Sequence, residues 1–407
     1  HSMKEDSPKL YDYVLRHGKF TEDEATENFV TFLRILAIFK IEEIDSEYLD
    51  ERDTLLEVLE EIYKSWRSLQ RFGYMYSERT SDFGINNLVQ KDSSLNDLIL
   101  RTYRLFEEKV QGRPNLVYRQ VQAGTNACFS VHHSDEFTKM DEYKKLEAIP
   151  IIDTVMLRTP MILHPKSSKR TGMFTEIDHN PIDSFRFDKD EWFCFPMKVG
   201  KLLCFVYFNS KYTATALSLA NLFELATREE AKEKPDLIVL YGNEDNKNET
   251  TFYHDTENDI WIGSISDHPR VEYFGYMKKM ALTLHNLAMM HRGWLPIHGA
   301  FVNITLKDGR TKGIMLMGDS GAGKSESIEA LKVVGKDIIK DIDVIFDDMG
   351  TIHVEDGVPY GQGTEIGAFI RLDDLDPGTP YRDMDRSIFM APENPNSRMI
   401  VPAAPYR

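Results

Sequence analysis

The first hundred residues place apolar side chains three and four positions apart in three successive stretches. These are FVTFLRILAIF (29–39), TLLEVLEEIYKSWRSLQRF (54–72) and LNDLILRTYRLFEEKV (95–110). The spacing is that of amphipathic helices with one buried face. It predicts a helical N-terminal region over residues 4–112.

The second of these stretches carries an apolar stripe at helical spacing. We expect the stripe to face the core of the helical region, and a partner-binding groove is the alternative interpretation. Its residues are Leu55, Leu56, Leu59, Ile62 and Trp66.

The pattern changes between residues 113 and 270, where short apolar runs are separated by Asn, Asp, Gly and Pro. Runs of this length that are rich in β-branched and aromatic residues are typical of β-strands. We therefore expect a mixed α/β lobe here. The predicted strands lie in LVYRQVQ (116–122), PIIDTVMLRTPMIL (150–163), LLCFVYF (202–208), DLIVLYG (236–242) and DIWIGSI (259–265).

The third predicted region, residues 271–407, contains GDSGAGKSES (318–327), which fits the pattern G-x-x-x-x-G-K-[ST]. An apolar run of strand length, KGIMLM (312–317), precedes it, and SESIEALKVV (325–334), with apolar residues at helical spacing, follows it. A strand, a glycine-rich loop and a helix start form the setting in which backbone N–H groups and the positive end of a helix bind phosphate. The sequence therefore predicts a P-loop, and a glycine-rich turn that binds nothing is the alternative.

Within the predicted P-loop, Lys324 is expected to reach the β- and γ-phosphates and Ser325 to ligate Mg²⁺. The residues predicted to contact the nucleotide are Gly318, Asp319, Ser320, Gly321, Ala322, Gly323, Lys324, Ser325 and Glu326.

Composition narrows the class of protein. The chain has 407 residues, of which 42% are hydrophobic and 28% charged, as in soluble globular proteins of two or three domains. The lack of a long apolar run and of a signal-peptide pattern predicts a cytoplasmic protein with no membrane partner. A formal net charge of −17 argues against a nucleic-acid partner, because the phosphates would be repelled. Cys128, Cys194 and Cys204 lack metal-ligand spacing and are expected to be reduced core residues.

Upstream of the predicted P-loop, EYFGYMKKMALTLHNLAMMHRGWLPIHGA (272–300) predicts an amphipathic helix, a Gly/Pro break and a strand opening on His298. This part of the chain resembles the ATP-dependent phosphoenolpyruvate carboxykinases. In that family a helix with Met-Lys-Lys is followed by a strand with a single histidine and then by a P-loop, in this order and at nearly this spacing. GDSGAGKSE and HGAFVNI resemble more closely the bacterial HPr kinases, which share that nucleotide fold. The resemblance covers residues 271–406, is weak in the middle region and is absent from the helical region.

The resemblance implies an α/β fold of mixed α+β type. In it, a C-terminal phosphoenolpyruvate carboxykinase-like nucleotide-binding domain with a P-loop follows the mixed α/β lobe and the helical region. It also implies a site for Mg²⁺ or Mn²⁺ whose ligands are the neutral amine of Lys279, the imidazole of His298, Ser325 and Asp341. Lys278 would face substrate or phosphate.

The alternative makes the two lysines a solvated helix edge and His298 a buried, hydrogen-bonded strand residue. A lysine binds a metal only when it is deprotonated, and a neighbouring cation together with desolvation favours that state.

The stretch KDIIKDIDVIFDDMGTI (336–352) predicts an apolar strand ending in Asp341 and Asp343. The similar families have two adjacent aspartates here, one of which holds metal and, in the HPr kinases, one of which takes the hydroxyl proton. Alternate residues of a strand share a face, so Asp341 is assigned to the metal and Asp343 to the base, and the roles could be exchanged. Asp347 and Asp348 are expected to make the following turn.

Near the end of the chain, NPNSRMIVPAAPY (394–406) resembles a carboxykinase segment whose arginine braces the transferred phosphoryl group. Arg398 would have that role, and a surface arginine beside a proline turn is the alternative. Glu365 and Arg371 are further candidates for contact with substrate. The carboxykinase stretch Gly-Arg-Ser-Pro-Lys-Asp-Lys, which binds the substrate carboxylate and CO₂, has only a loose basic counterpart in HPKSSKRTGMF (164–174).

These parts are those that phosphoryl transfer requires, whereas the carboxylate-binding equipment is missing. The expected function is an ATP-dependent, divalent-metal-dependent kinase that acts on a hydroxyl of a small-molecule substrate, with a polyol such as inositol as the first choice. The alternatives are an ATP-dependent phosphoenolpyruvate carboxykinase acting on oxaloacetate, an HPr kinase-like protein serine kinase and a non-catalytic nucleotide-binding regulator.

Overall fold

The computed structural model describes residues 2–77, 84–119, 121–133, 141–244, 249–318, 327, 330–331, 333–375, 378 and 383–402. This part of the chain is a mixed α/β protein with several helices and large sheets. The chain divides into two compact units, one formed by His1–Gly73 with Thr80–Cys128 and the other by Tyr74–Arg79 with Phe129–Arg407. The domain boundaries expected after residues 112 and 270 stay predictions.

The first unit is helical. Its α-helices are α1 (Ser2–Asp6), α2 (Pro8–Val14), α3 (Glu22–Ile38), α4 (Arg52–Ser68) and α5 (Gly84–Gln111). Thr21 and Glu24 form a capping box at the start of α3. At the other end of α3, Lys109 of α5 donates to the carbonyl oxygens of Leu36 at 2.7 Å and Phe39 at 2.9 Å. A cation suits the negative end of a helix dipole, so this contact fixes the end of α3 to α5.

The predicted stripe of α4 is confirmed in part. Leu55 and Leu59 lie in the buried core of the unit, together with Val58. Ile62 does not join them, because 41% of its surface is exposed. The buried face continues at Tyr63 instead of Ile62, so it is rotated slightly around α4 from the predicted stripe.

The prediction of a strand at residues 116–122 is wrong. The described residues of this segment have no regular structure, and Leu116 and Val117 are among the most exposed apolar residues of the chain. A β-prone run forms a strand when a neighbour pairs with it, and none of the described strands does so here.

The second unit contains most of the strands. In chain order they are β1 (Phe72–Tyr76), β2 (Ala127–His132), β3 (Ile151–Leu157), β4 (Met161–Leu163), β5 (Thr175–Glu176), β6 (Trp192–Val199), β7 (Leu202–Asn209), β8 (Glu224–Leu225), β9 (Leu237–Asn243), β10 (Thr250–Asp255), β11 (Ile260–Ser266), β12 (Leu295–Leu306), β13 (Thr311–Met317), β14 (Ile339–Phe346), β15 (Met349–Glu355), β16 (Val358–Gly363), β17 (Gly367–Arg371), β18 (Ile388–Met390) and β19 (Arg398–Pro402). The α-helices here are α6 (Pro181–Ser184), α7 (Thr213–Leu217) and α8 (Gly275–His291).

The described strands form three sheets. The largest has the order β1-β2-β3-β6-β7-β9-β11-β10-β5, with β8 paired to β6. The second has the order β13-β12-β15-β16, with β14 paired to β12, and the third has the order β17-β19-β18-β4.

The other predicted strands of the middle region are confirmed. PIIDTVMLRTPMIL contains β3 and β4, and the three remaining runs form β7, β9 and β11. Every residue of β9 and β11 is buried, which explains why these strands read as continuous apolar runs. The three cysteines are buried, as expected of core residues. In the described part of the chain, no helix has both the length and the apolar character that crossing a membrane would require.

Strand β12 is the centre of the second sheet. On one side it pairs with β13, from Gly299 opposite Met317 onward. On the other side its residues 295–298 pair with β15 and its residues 301–306 with β14. Both partners are antiparallel to β12, so the chain keeps its direction through residues 347–348. The turn expected at Asp347 and Asp348 is therefore wrong, and the chain has instead a kink between two strands that run in the same direction.

Candidate functional site

Helix α8 provides the first component of the candidate site. The helix packs against β9, β11 and β12. Gly263 of β11 permits a close approach, because a Cβ at this position would lie 2.5 Å from Met280 Sδ. Lys278 is enclosed along with the apolar face of α8, and only 3% of its side chain is exposed. A buried ammonium group requires polar partners to offset its lost hydration.

Two carboxylates supply those partners. The Nζ atom of Lys278 lies 2.8 Å from Glu365 Oε1 and 3.0 Å from Asp348 Oδ2. The two acids differ in exposure, since 7% of the Glu365 side chain and 40% of the Asp348 side chain reach the surface. Lys278 is thus bound on one side to an enclosed acid and on the other to an open one.

Asp348 also connects the helix to strand β12. Its second oxygen, Oδ1, lies 3.2 Å from His298 Nε2, and the His298 side chain is 42% exposed. The kink carrying Asp348 is held by the backbone N–H of Gly299, which donates to the Asp348 carbonyl at 3.0 Å. Gly299 must be glycine for the sheet to close here, because a Cβ would lie 2.6 Å from the carbonyl oxygen of Leu316.

The charges of the cluster shift the pKa values of its members. Burial works to raise the pKa of Asp348, but the cations Lys278 and Lys279 outweigh burial and hold this pKa below its usual range. Burial works to lower the pKa of Lys278, and Glu365 with Asp348 outweighs it, so the pKa of Lys278 is raised. Burial raises the pKa of Glu365, Lys278 opposes the rise and Asp348 adds to it. Two carboxylates within 3.0 Å of Nζ favour the charged form of Lys278.

Lys279, the next residue of α8, is half-buried. Burial lowers the pKa of its ammonium group, and the positive charges of Lys278 and Arg170 lower it further. Asp348 and Glu365 act in the opposite direction without reversing the shift. Lys279 is therefore easier to deprotonate than an ordinary lysine, as a metal-binding amine must be.

The predicted P-loop starts beside His298. Strand β13 is confirmed over KGIMLM, and its last residue, Met317, pairs with Gly299, the residue after His298. Beyond Gly318, residues 319–326 lie outside the described part of the chain. Those described between 327 and 334 are helical, in agreement with the predicted helix.

Asp341 and Asp343 are not part of this cluster. Both are exposed and lie in the middle of β14, where Asp343 pairs with Asn303 of β12. Asn303 is five residues from His298, which at about 3.3 Å per residue separates the two positions by roughly 17 Å along the strand. The two aspartates share a face as expected, but the strand continues past them to Phe346.

Arg398 lies close to the cluster through an aromatic ring. Its guanidinium carbon is 5.4 Å from the centroid of Phe369, and Lys278 Nζ is 5.6 Å from the same centroid. Arg398 Nη2 donates to Asn396 Oδ1 at 3.0 Å, whereas its buried Nε makes no hydrogen bond to the described residues. Arg371 is the neighbour of Arg398 across the β17–β19 pair.

The basic segment HPKSSKRTGMF contacts the start of α8. Thr171 N donates to the hydroxyl of Tyr276 at 3.0 Å, and Lys166 pairs with Glu272 at 3.1 Å. Asn396, two residues before Arg398, donates to the carbonyl of Ser168 in the same segment. The structure therefore brings this segment to the region of Lys279 and Arg398, although its sequence matched the carboxykinase stretch only loosely.

Sequence reasoning assigned Asp348 to a turn and missed its contact with Lys278 and His298. A signal was present in the resemblance, which expects two adjacent aspartates. Asp347 and Asp348 are adjacent, whereas Asp341 and Asp343 are separated by a residue.

Among the described residues, no three His, Cys, Asp or Glu side chains form a group that could hold a metal ion. A metal here would need His298, Asp348 and a ligand of another type. A scan against models of known protein families found no match, and a search of curated proteins found none either.

Proposed function

We propose that the chain is an ATP-dependent, divalent-metal-dependent kinase of the phosphoenolpyruvate carboxykinase-like superfamily that phosphorylates a hydroxyl group of a small, inositol-like polyol. The observation that carries the proposal is the meeting of Lys278, His298 and Asp348 beside the start of GDSGAGKSES. A phosphate-binding sequence next to a cation, an imidazole and a carboxylate is the set of groups that phosphoryl transfer uses.

The mixed nitrogen and oxygen donors suit Mn²⁺ better than the harder Mg²⁺, which prefers oxygen ligands. His298 Nε2 and Asp348 Oδ1 are close enough to bind one ion together, and Lys279 would add a neutral amine that its lowered pKa favours. Ser325 of the predicted P-loop would complete the ligands. When bound, the ion would neutralise charge on the β- and γ-phosphate oxygens.

The remaining residues have roles that follow from their charge. Lys278 would bind the oxygens of the transferred phosphoryl group, and Arg398, beside the same aromatic ring, would brace that group with its planar fork. The acceptor proton would go to a carboxylate. Asp347, which precedes Asp348 in the chain, is one candidate, and Asp343, which the sequence favours, is the other.

The basic segment favours a phosphoenolpyruvate carboxykinase as the second candidate function. Its contacts with Tyr276 and Glu272 bring Lys169 and Arg170 to the part of the molecule that holds Lys279. Cations in that position would suit an acceptor with a carboxylate, such as oxaloacetate.

The deciding experiment measures ADP formation by the full chain with ATP and Mn²⁺, comparing a panel of polyols with oxaloacetate. We expect turnover with a polyol and no phosphoenolpyruvate from oxaloacetate. The Lys324→Ala variant serves as the control, and it should lose turnover in every reaction. Nucleotide-dependent decarboxylation of oxaloacetate with no polyol used would replace the kinase by the carboxykinase. Turnover only with a protein serine would favour the HPr kinase-like alternative, and ATP binding without turnover would favour the regulator.

A further inference from the structure

The two acids bound to Lys278 have unequal freedom. Asp348 is partly exposed and faces His298 as well as Lys278. Glu365 is enclosed and faces Lys278 from the other side, with Nζ at 2.8 Å. If a divalent ion binds His298 and Asp348, one of the two counter-charges of Lys278 is shared with that ion.

The backbone around Glu365 is fixed by its neighbours. Thr364 donates through its hydroxyl to the Met349 carbonyl at 2.9 Å, and its own carbonyl accepts from the Gly200 N–H at 3.2 Å. The N–H of Ile366 donates to the Leu222 carbonyl at 2.9 Å. These hydrogen bonds fix the backbone on both sides of Glu365, whose side chain is enclosed.

From this geometry we infer that Glu365 is a positioning residue, the permanent counter-ion that holds Lys278 in place while Asp348 turns to a divalent metal. Lys278 contacts both Glu365 and Asp348 in the structure. With a divalent metal and a nucleotide bound, it would keep its contact with Glu365 and bind the phosphoryl oxygens. The inference rests on the proposed function, because it needs a metal at His298 and Asp348.

The physical reason lies in competition for Asp348. A buried ammonium group that loses a carboxylate draws more strongly on the one that remains. Without the charge of Glu365, Lys278 would pair more strongly with Asp348. A divalent ion would then have to displace the ammonium group from Asp348 in order to bind. Glu365 would therefore influence metal affinity without touching the metal.

The experiment titrates Mn²⁺ into the full-length protein and measures free Mn²⁺ by electron paramagnetic resonance. Glu365→Gln keeps the shape of the side chain and removes its charge, and we expect Mn²⁺ affinity to fall about tenfold or more, the range typical of residues behind metal ligands. The matched control is Glu355→Gln, because Glu355 is an exposed carboxylate that pairs with a histidine, His353, at the far end of β15. The control should bind Mn²⁺ as the parent chain does.

Glu365→Asp separates position from charge, since it keeps the carboxylate but withdraws it by one methylene. It should recover part of the affinity lost in Glu365→Gln, and it replaces that variant if thermal melting shows Glu365→Gln to be unfolded. Parent-like Mn²⁺ affinity in the folded Glu365 variants would overturn the inference and leave the kinase proposal intact. A parent chain that binds no Mn²⁺ would overturn both.

Discussion

His285 provides a test of the buried chemistry of α8 through the pH dependence of stability. The residue has no exposed surface, and its Nε2 makes no hydrogen bond to the described residues. A Cβ placed on Gly200 would lie 3.2 Å from this Nε2, so the imidazole is packed against backbone. Burial lowers the pKa of His285 from 6.5 to about 4. The folded protein thus holds the ring neutral at pH values where an unfolded chain would charge it.

The sign of the effect follows from proton uptake. Above pH 6.5 the ring is neutral in both states and contributes no pH dependence. As the pH falls from 6.5 toward 4, His285 binds a proton in the unfolded chain but not in the folded chain, so the free energy of unfolding decreases. At roughly 1.4 kcal/mol for each pH unit, the full loss is about 3 kcal/mol. Below pH 4 the folded form also takes the proton and the loss levels off.

The measurement is urea unfolding between pH 4 and 8, followed by tryptophan fluorescence. Three of the four tryptophans, Trp192, Trp261 and Trp294, belong to the second unit. His285→Leu should show a flatter pH profile than the parent chain, because it has no ring to protonate. Taking the difference between the two profiles removes the contribution of titrating carboxylates. The control is His179→Gln, an exposed residue, which should keep the parent profile. Parallel profiles for the parent chain and His285→Leu would refute the reasoning.

Four further predictions concern the predicted loop, the kink, the sheet and the helical unit. Lys324→Ala should abolish ADP formation while leaving the circular dichroism spectrum unchanged, because this lysine is expected to face phosphate; full activity would remove the P-loop interpretation. Asp348→Asn should weaken Mn²⁺ binding about tenfold or more while Asp343→Asn leaves it unchanged, and the reverse order in a metal titration would restore the assignment made from sequence. Gly299→Val should lower the free energy of unfolding by about 2 kcal/mol or more, because a Cβ meets the Leu316 carbonyl; an unchanged urea midpoint would contradict this. Lys109→Met should lower the stability of the helical unit by about 1 kcal/mol through loss of the contact with the end of α3, and unaltered helix melting by circular dichroism would argue against it.

The sequence predicted the elements whose pattern of buried residues is regular, either a continuous buried strand or a helix with one buried face. Strands β9 and β11 are buried on both faces and read as continuous apolar runs, and the amphipathic stretches of the first unit became helices. LVYRQVQ failed because strand formation depends on a pairing partner, which local composition does not specify. Ile62 lies outside the buried face because the extent of a helix contact depends on its neighbours.

The candidate site was predicted less completely. Lys278, Lys279 and His298 lie on two adjacent elements, and the resemblance to the carboxykinases was what grouped them; the structure links Lys278 and His298 through Asp348. Asp348 was missed because its role depends on the kink between β14 and β15. Such a kink has no sequence pattern as distinct as that of a glycine-rich loop. Glu365 lies between β16 and β17 and contacts Lys278 of α8. This contact joins residues far apart in the chain, which periodicity does not predict.

The kink between β14 and β15 also gives the protein a natural reporter. The Gly299 amide hydrogen is shared with the Asp348 carbonyl, so it is protected from deuterium only while the kink lies against β12. Its exchange rate therefore measures local opening of the kink, separately from global unfolding of the sheet. A nucleotide or metal that settles against Asp348 should slow this one amide more than those of β9 and β11. Occupancy could thus be followed by isotope labelling before any substrate is known.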